Sequence, residues 1–297
     1  MTSFPLNNRM FIDPKRLMPS AWTGHIPFAG WLVDSLKPDT LVELGTYNGT
    51  SYLAFCQAVR ESNLNTQCYA VDTWEGDVHA GLYEDSVYSQ LSEYHDNNYS
   101  DFSRLMRTTF DEACICFENE SIDLLHIDGL HTYEAVKHDF ETWMPKLSKK
   151  AVVLFHDTNV YERNFGVWKY WAEISKLYPS FEFKHTHGLG VLLFGVDVSE
   201  SLLEVTKLSS QNGCESIEQL FATLANQIEL RQKDATASEL LRQKDEHLAT
   251  ASELLRLKDE HLATASELLR QKEEYILAIP KVFRWISKRL PVNVKNS

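Results

Sequence analysis

Across the first 200 residues, short apolar runs bounded by turn residues alternate with stretches whose apolar positions recur at helical spacing. The runs Thr40–Leu44, Gln67–Val71, Leu105–Thr108, Ile122–Ile127 and Ala151–Phe155 predict strands. Between them, His25–Leu36 places Ile26, Phe28, Leu32, Val33 and Leu36 along one helical face, and Ser51–Arg60, Asp111–Phe117, Thr132–Lys146 and Gly166–Leu177 also read as helices. Strands that alternate with helices pair in parallel and carry helices on both sheet faces.

The rhythm breaks after Pro179. Phe181–Lys184 and Gly190–Phe194 are strand-like but only a few residues apart, whereas a parallel return needs about a dozen or more. They must pair as a hairpin. The predicted fold class is therefore α/β: a doubly wound, mostly parallel seven-stranded sheet that ends in an antiparallel hairpin and is followed by a long α-helical coiled coil. A second interruption, Trp74–Ser103, holds Trp74, Tyr83, Tyr88, Tyr94, Tyr99 and Phe102 with seven acids and no Lys or Arg. Loops longer than about 12 to 15 residues without structure are uncommon unless functional. Glu84–Tyr94 is expected to be helical, and the segment is read as a lid or substrate wall.

After Asn212-Gly213 a 14-residue unit repeats as ATASELLRQKDEHL, ATASELLRLKDEHL and ATASELLRQKEEYI. Leu241, Leu248, Leu255, Leu262, Leu269 and Ile276 fall seven apart, beside an alternating series of Ala237, Lys244, Ala251, Lys258, Ala265 and Lys272. A sustained seven-residue period predicts a left-handed coiled coil and hence a homo-oligomer. From Ile217 to Ile276 such a helix would extend about 90 Å. Pro280 is expected to interrupt it. Beyond, Val282, Phe283, Ile286 and Leu290 share a face beside Trp285, with five basic residues and no acid from Lys281 onward. Residues 281–290 read as a peripheral membrane contact or docking helix. The expected organisation is a domain at 1–200, a linker at 201–216, the coiled coil at 217–278 and a basic amphipathic tail at 279–297.

A net charge of -13 over 297 residues argues against a broad nucleic-acid surface, which needs clustered cations. Five cysteines without a C-x-x-C pair suggest neither a disulfide framework nor a zinc site. No signal peptide or spanning segment is evident, so the expected location is cytoplasmic, with the tail at the inner face of the membrane.

The candidate chemistry lies at strand ends, where open α/β sheets bind ligands. Leu41-Val-Glu-Leu-Gly-Thr-Tyr-Asn-Gly-Thr-Ser51 reads as a strand, a glycine loop and a helix N-terminus, and Asp72 closes the next strand. The loop lacks the second close glycine of a G-x-G-x-x-G dinucleotide fingerprint. A further group, His126-Ile-Asp128-Gly-Leu-His131 with His156-Asp157, should converge on the same mouth. His126, inside an apolar strand, reads as a satisfied core histidine, and His185 and His187 as hairpin residues near the rim.

The ordered motifs LVELGTYNGTS, AVDTWEGD, IDLLHIDGLHTYEAVKHDFETWMPKL, VVLFHDTN, FGVWKYW and HGLGVLLFG resemble class I S-adenosylmethionine-dependent methyltransferases, in the group that includes macrocin O-methyltransferase and cephalosporin-hydroxylase-like proteins. The resemblance covers residues 20–196. It implies S-adenosylmethionine as cofactor, with Glu43, Gly45, Thr46, Gly49 and Ser51 around its methionine end, Asp72 accepting both ribose hydroxyls, Trp74 walling the adenosine side and Asp128 nearby. Two mechanisms follow. Asp128, His156 and Asp157 could hold a divalent metal ion that activates the acceptor hydroxyl; alternatively Asp128 with His131 or His156 as general base works without metal. His156 stands where relatives carry an oxygen ligand, which suits a transition metal better than Mg²⁺. The expected activity is O-methylation of a sugar or glycan hydroxyl in surface polysaccharide synthesis. A cofactor-binding scaffold organised by the coiled coil and a methyltransferase for a small secondary metabolite are the alternatives.

Overall fold

A computed structural model describes residues 4–79, 81–208 and 214–289. The elements, in chain order, are α1 (Ile26–Leu36), β1 (Thr40–Leu44), α2 (Thr50–Glu61), β2 (Gln67–Asp72), β3 (Gly76–Asp77), β4 (Gly81–Leu82), α3 (Asp85–Tyr99) and β5 (Ser103–Arg107). There follow α4 (Phe110–Cys114), β6 (Ile122–Ile127), α5 (Tyr133–Trp143), β7 (Leu147–His156), α6 (Val167–Ile174), β8 (Ser180–Phe183), β9 (Leu189–Leu193), α7 (Glu200–Leu208) and α8 (Cys214–Arg289).

The main sheet has seven strands in the order β5-β2-β1-β6-β7-β9-β8. From β5 through β2, β1 and β6 to β7, neighbouring strands pair in parallel, and β9 pairs antiparallel with β7 and with β8, the latter as the short 184–188 connection requires. Alternation along the strands feeds two cores. Leu124, Val152 and Leu154 join one with α1 and α2, while Leu125, Val153 and Phe155 join the other with α5 and α6. Because both faces are buried, these strands read as unbroken apolar runs in the sequence.

Several boundaries differ from expectation. β7 begins at Leu147, before the expected Ala151, because Leu147 pairs with Ile122 ahead of a register shift that restores pairing at Leu124 and Val152. The expected lid divides into the β3–β4 hairpin and α3, which runs on to Tyr99 because Leu91, His95 and Tyr99 are buried on its inner side. α7 occupies much of the stretch expected as linker, anchored by buried Leu202 and Val205; residues 209–213 lie outside the described residues.

Two compact units divide at Gln232. In the first, the opening turns of α8 contribute buried Ile217, Phe221, Ala225 and Ile228, with Phe221 5.5 Å from the Phe28 ring. In the second, residues 233–278 are all exposed. The helix is not interrupted at Pro280; a proline there forfeits one backbone donor, and α8 continues to Arg289. The side chains of Val282, Phe283 and Ile286, and Leu290 as a whole, lie outside the described residues, so the expected apolar face of the tail does too. Among the described residues no helix is long and apolar enough to cross a membrane.

Candidate functional site

β1 ends at the centre of the sheet, and the chain must leave it and enter α2 within five residues. Gly45 and Gly49 make the turn with φ of 87° and 84°, in the left-handed region that favours glycine. A Cβ on Gly45 would stand 2.0 Å from the carbonyl oxygen of Asp128, so the ends of β1 and β6 meet here without room for a side chain. Asp72, across the loop, accepts the N–H groups of Thr46 (2.8 Å) and Tyr47 (2.9 Å) on Oδ2 and of Trp74 (2.7 Å) on Oδ1. A carboxylate offers about four acceptor positions. Asp72 thus anchors the loop first and retains capacity for about one ribose hydroxyl. Trp74 is buried and donates its indole N–H to the Tyr47 carbonyl (2.8 Å), bracing the loop from behind. Thr46 has a buried hydroxyl with no partner, and both Thr46 and Ser51 line the cleft.

Glu43 lies deeper. It is fully buried, and its Oε2 accepts from His126 Nδ1 at 2.8 Å. His126 Nε2 in turn accepts the indole N–H of Trp22 at 3.0 Å. Indole only donates, which fixes the tautomer: His126 carries its proton on Nδ1 and gives it to Glu43. Burial pushes the Glu43 carboxyl up and the His126 bond opposes that. His126 is the satisfied core histidine expected, and Glu43 holds it, and through it the cleft wall at Trp22.

The second group gathers where β6 and β7 end. Asp157, in left-handed conformation at φ 60°, binds three imidazoles: His131 Nε2 (2.9 Å) and His156 Nδ1 (3.1 Å) at Oδ2, and His187 Nδ1 (2.9 Å) at Oδ1. Asp128 Oδ1 shares His156 Nδ1 at 3.1 Å and lies 3.7 Å from His131 Nε2. Burial pulls the His131 imidazole down, but Asp128 and Asp157 outweigh it and leave it pushed up to about 9. Burial likewise opposes a charge on His156, and the same two carboxylates hold it well above its ordinary value. Burial would raise both carboxyls; His156 and His131 instead keep Asp128 and Asp157 well below the usual range. Asp128, His131 and Asp157 bring ligand atoms within 4.8 Å of one another. His131 therefore completes the three-residue group in the place expected for His156, whose Nε2 is buried without a partner.

Other polar and aromatic residues of the same elements lie apart from the site: His138 pairs with exposed Asp111, Trp171 is core, and Tyr133 donates to Glu173 on the surface. His187, expected near the rim, reaches the site because Asn159 fastens the β8–β9 turn: its N–H donates to the His187 carbonyl (2.8 Å) and its side chain to that of Lys184 (2.8 Å).

One cleft of about 390 Å³ joins both groups, lined by Gly45, Thr46, Asp72, Asp128 and His131 among others. Tyr83, from the segment expected as a lid or substrate wall, also lines it, as do Trp22, Thr109 and Phe110, which were not singled out by sequence. Thr109 could have been found: Thr109-x-x-Glu112 is a capping box, and it starts α4 at the cleft. Phe165 stacks on His131 at 4.5 Å and His79 on Phe165 at 4.8 Å, giving an aromatic face beside the cluster.

Residues 42–158 match the family described as a methyltransferase domain. Over 207 residues it is 50% identical to an uncharacterized protein of Sinorhizobium fredii (strain NBRC 101917 / NGR234), covering 70% of this chain and 22% of the relative's length. Similar solved structures include the SAH-bound methyltransferase of Podospora anserina, with a TM-score of 0.45 and 15% identity over 59% of this chain and 79% of that one. The O-methyltransferase TomG of Streptomyces achromogenes has a TM-score of 0.44 and 12% identity over 61% and 83%.

Proposed function

We propose that the chain is an S-adenosylmethionine-dependent O-methyltransferase whose acceptor is a sugar or glycan hydroxyl, of the kind found in surface polysaccharide. The observation that carries this reading is the joining, in one cleft, of the glycine loop stapled by Asp72 and the Asp128–His131–Asp157 cluster. The cleft fits the methyl donor on its own chemistry. Gly45 leaves the backbone bare at the loop, the Thr46 hydroxyl is buried and unpartnered, and Asp72 keeps an acceptor position for a ribose hydroxyl. When bound, the donor supplies an electrophilic sulfonium methyl group.

Methyl transfer is an in-line displacement, so the acceptor oxygen must be held against the methyl carbon and relieved of its proton. Asp128 lines the cleft as an ionised carboxylate, which supports a role for it in receiving that proton, with His131 and His156 holding the carboxylate pair in position. Asp128, His131 and Asp157 also fit a divalent cation by donor type and spacing, and such an ion would lower the pKa of a bound hydroxyl. The aromatic ring of Tyr83, which lines the cleft, suits the apolar side of a pyranose ring.

The test is incubation with isotopically methyl-labelled S-adenosylmethionine and a panel of nucleotide sugars and glycan acceptors, read by mass spectrometry, with and without a chelator. Label on a carbohydrate oxygen is expected, and Asp128→Asn should remove it. Label appearing only on non-carbohydrate hydroxyls would replace the substrate class. Donor binding without transfer to any acceptor would replace the enzyme by a cofactor-binding scaffold.

A further inference from the structure

Residues 233–278 form a helix with two unlike faces. On one, Arg242 pairs with Glu239 (2.7 Å) and Glu246 (2.5 Å), Arg256 with Glu253 (2.8 Å) and Glu260 (2.5 Å), and Arg270 with Glu267 (2.9 Å) and Glu274 (2.9 Å). These groups satisfy one another within the helix. Diametrically opposite, at 100° per residue, lies the line of Ala237, Lys244, Ala251, Lys258, Ala265 and Lys272. It is flanked on one side by Leu241, Leu248, Leu255, Leu262 and Leu269, and on the other by Leu240, Leu254 and Leu268, all more than half exposed. So long an apolar stripe in water marks an interaction surface.

We propose that this stripe binds a second copy of the chain in antiparallel orientation, about a two-fold axis between Leu254 and Leu255. The charge pattern selects both the partner and the direction. In a parallel, in-register pair Lys244, Lys258 and Lys272 would each meet themselves inside the seam, and like charges in a seam are destabilising. Turning one helix end for end places Lys244 opposite Ala265 of the second copy, Lys258 opposite Ala251 and Lys272 opposite Ala237. Every lysine then faces an alanine, across which its aliphatic stem can lie while the ammonium reaches water. The same alignment brings each leucine flank against its own copy, Leu241 beside Leu269 and Leu255 beside Leu255 on one side, Leu240 beside Leu268 and Leu254 beside Leu254 on the other. His247 falls beside His261 of the second copy. A two-fold pair uses the same patch on both partners and closes without leaving a surface for further growth. The proposal is independent of the methyl-transfer reading.

The test is disulfide cross-linking of the full chain with Cys116 and Cys214 replaced by Ser, paired with sedimentation equilibrium of the unaltered protein. Ala251→Cys and Lys258→Cys variants are oxidised separately and as a mixture. A dimer by sedimentation is expected, with a disulfide-linked species from the mixture and none from either variant alone. Self-linking of either variant alone would establish a parallel seam and overturn the proposal. A monomer by sedimentation, a higher oligomer, or a dimer that no combination cross-links would overturn it as well.

Discussion

The strand-end cluster and the repeat helix both pair acids with bases, under opposite physical conditions. At the cluster, Asp157 and His156 are nearly inaccessible, and partners arrive from β6, β7, the loop before α5 and the β8–β9 turn. Along the helix, Arg256 and its partners Glu253 and Glu260 are more than half exposed and come from the adjoining turns of one element. Buried pairs suffer heavy desolvation when a partner is lost, whereas exposed pairs are screened by water and salt. Charge therefore sets position and protonation in the first region, and in the second it mainly keeps one face soluble.

The largest effect should come from Asp157→Asn. Asparagine tolerates the left-handed backbone at this position, so the change isolates the charge. His131, His156 and His187 would lose their common carboxylate oxygens. Breaking a buried ion pair costs about 3–5 kcal/mol, and a fall of that order in unfolding free energy is expected from urea titration near neutral pH. A loss within the error of the titration would show that the cluster is as solvated as the helix and would remove the contrast between them.

How much of each region is legible in the sequence follows the same division. The helix can be read almost whole, because its pairs are three and four residues apart and its leucines recur every seven. The strands can be read because burial on both faces leaves apolar runs, although the start of β7 at Leu147 depends on a register shift that no local pattern marks. At the site, Gly45, Asp72, Asp128 and Asp157 can be located because each closes or follows a strand. His187 and Trp22 come from distant segments, delivered by the turn fastened to Asn159 and by the bond to His126. The choice between His131 and His156 as third member of the cluster also depends on side-chain direction, which the sequence does not carry.

An intermediate effect is expected from pH. His131 rises from its ordinary 6.5 to about 9 in the folded protein. Its stabilising contribution is complete below pH 6.5 and disappears as pH climbs through about 9. The carboxylates run the other way: Asp128 and Asp157 are lowered, so their contribution is present above the ordinary carboxylate range and lost on acidification. The stability difference between the protein and its His131→Asn variant should accordingly be largest near pH 6, at most about 3 kcal/mol, and shrink toward pH 10. Thermal unfolding across that range checks it. A difference that stays constant with pH would mean that His131 contributes packing alone.

The smallest effect belongs to the helix and is the sharpest control on the comparison. Glu253→Gln with Glu260→Gln removes both partners of Arg256, which lies among exposed charges on the face turned away from the leucine stripe. At physiological salt the change should leave helical circular dichroism and the midpoint of thermal unfolding unaltered within error, because exposed pairs on a helix contribute little and are screened. At low ionic strength a slight loss of helix should emerge, since screening is then relaxed. A large loss at physiological salt would mean that the Arg–Glu face is itself buried against another chain. That result would move the association surface to the opposite side of the helix and give its charges the same role that charge has in the cluster.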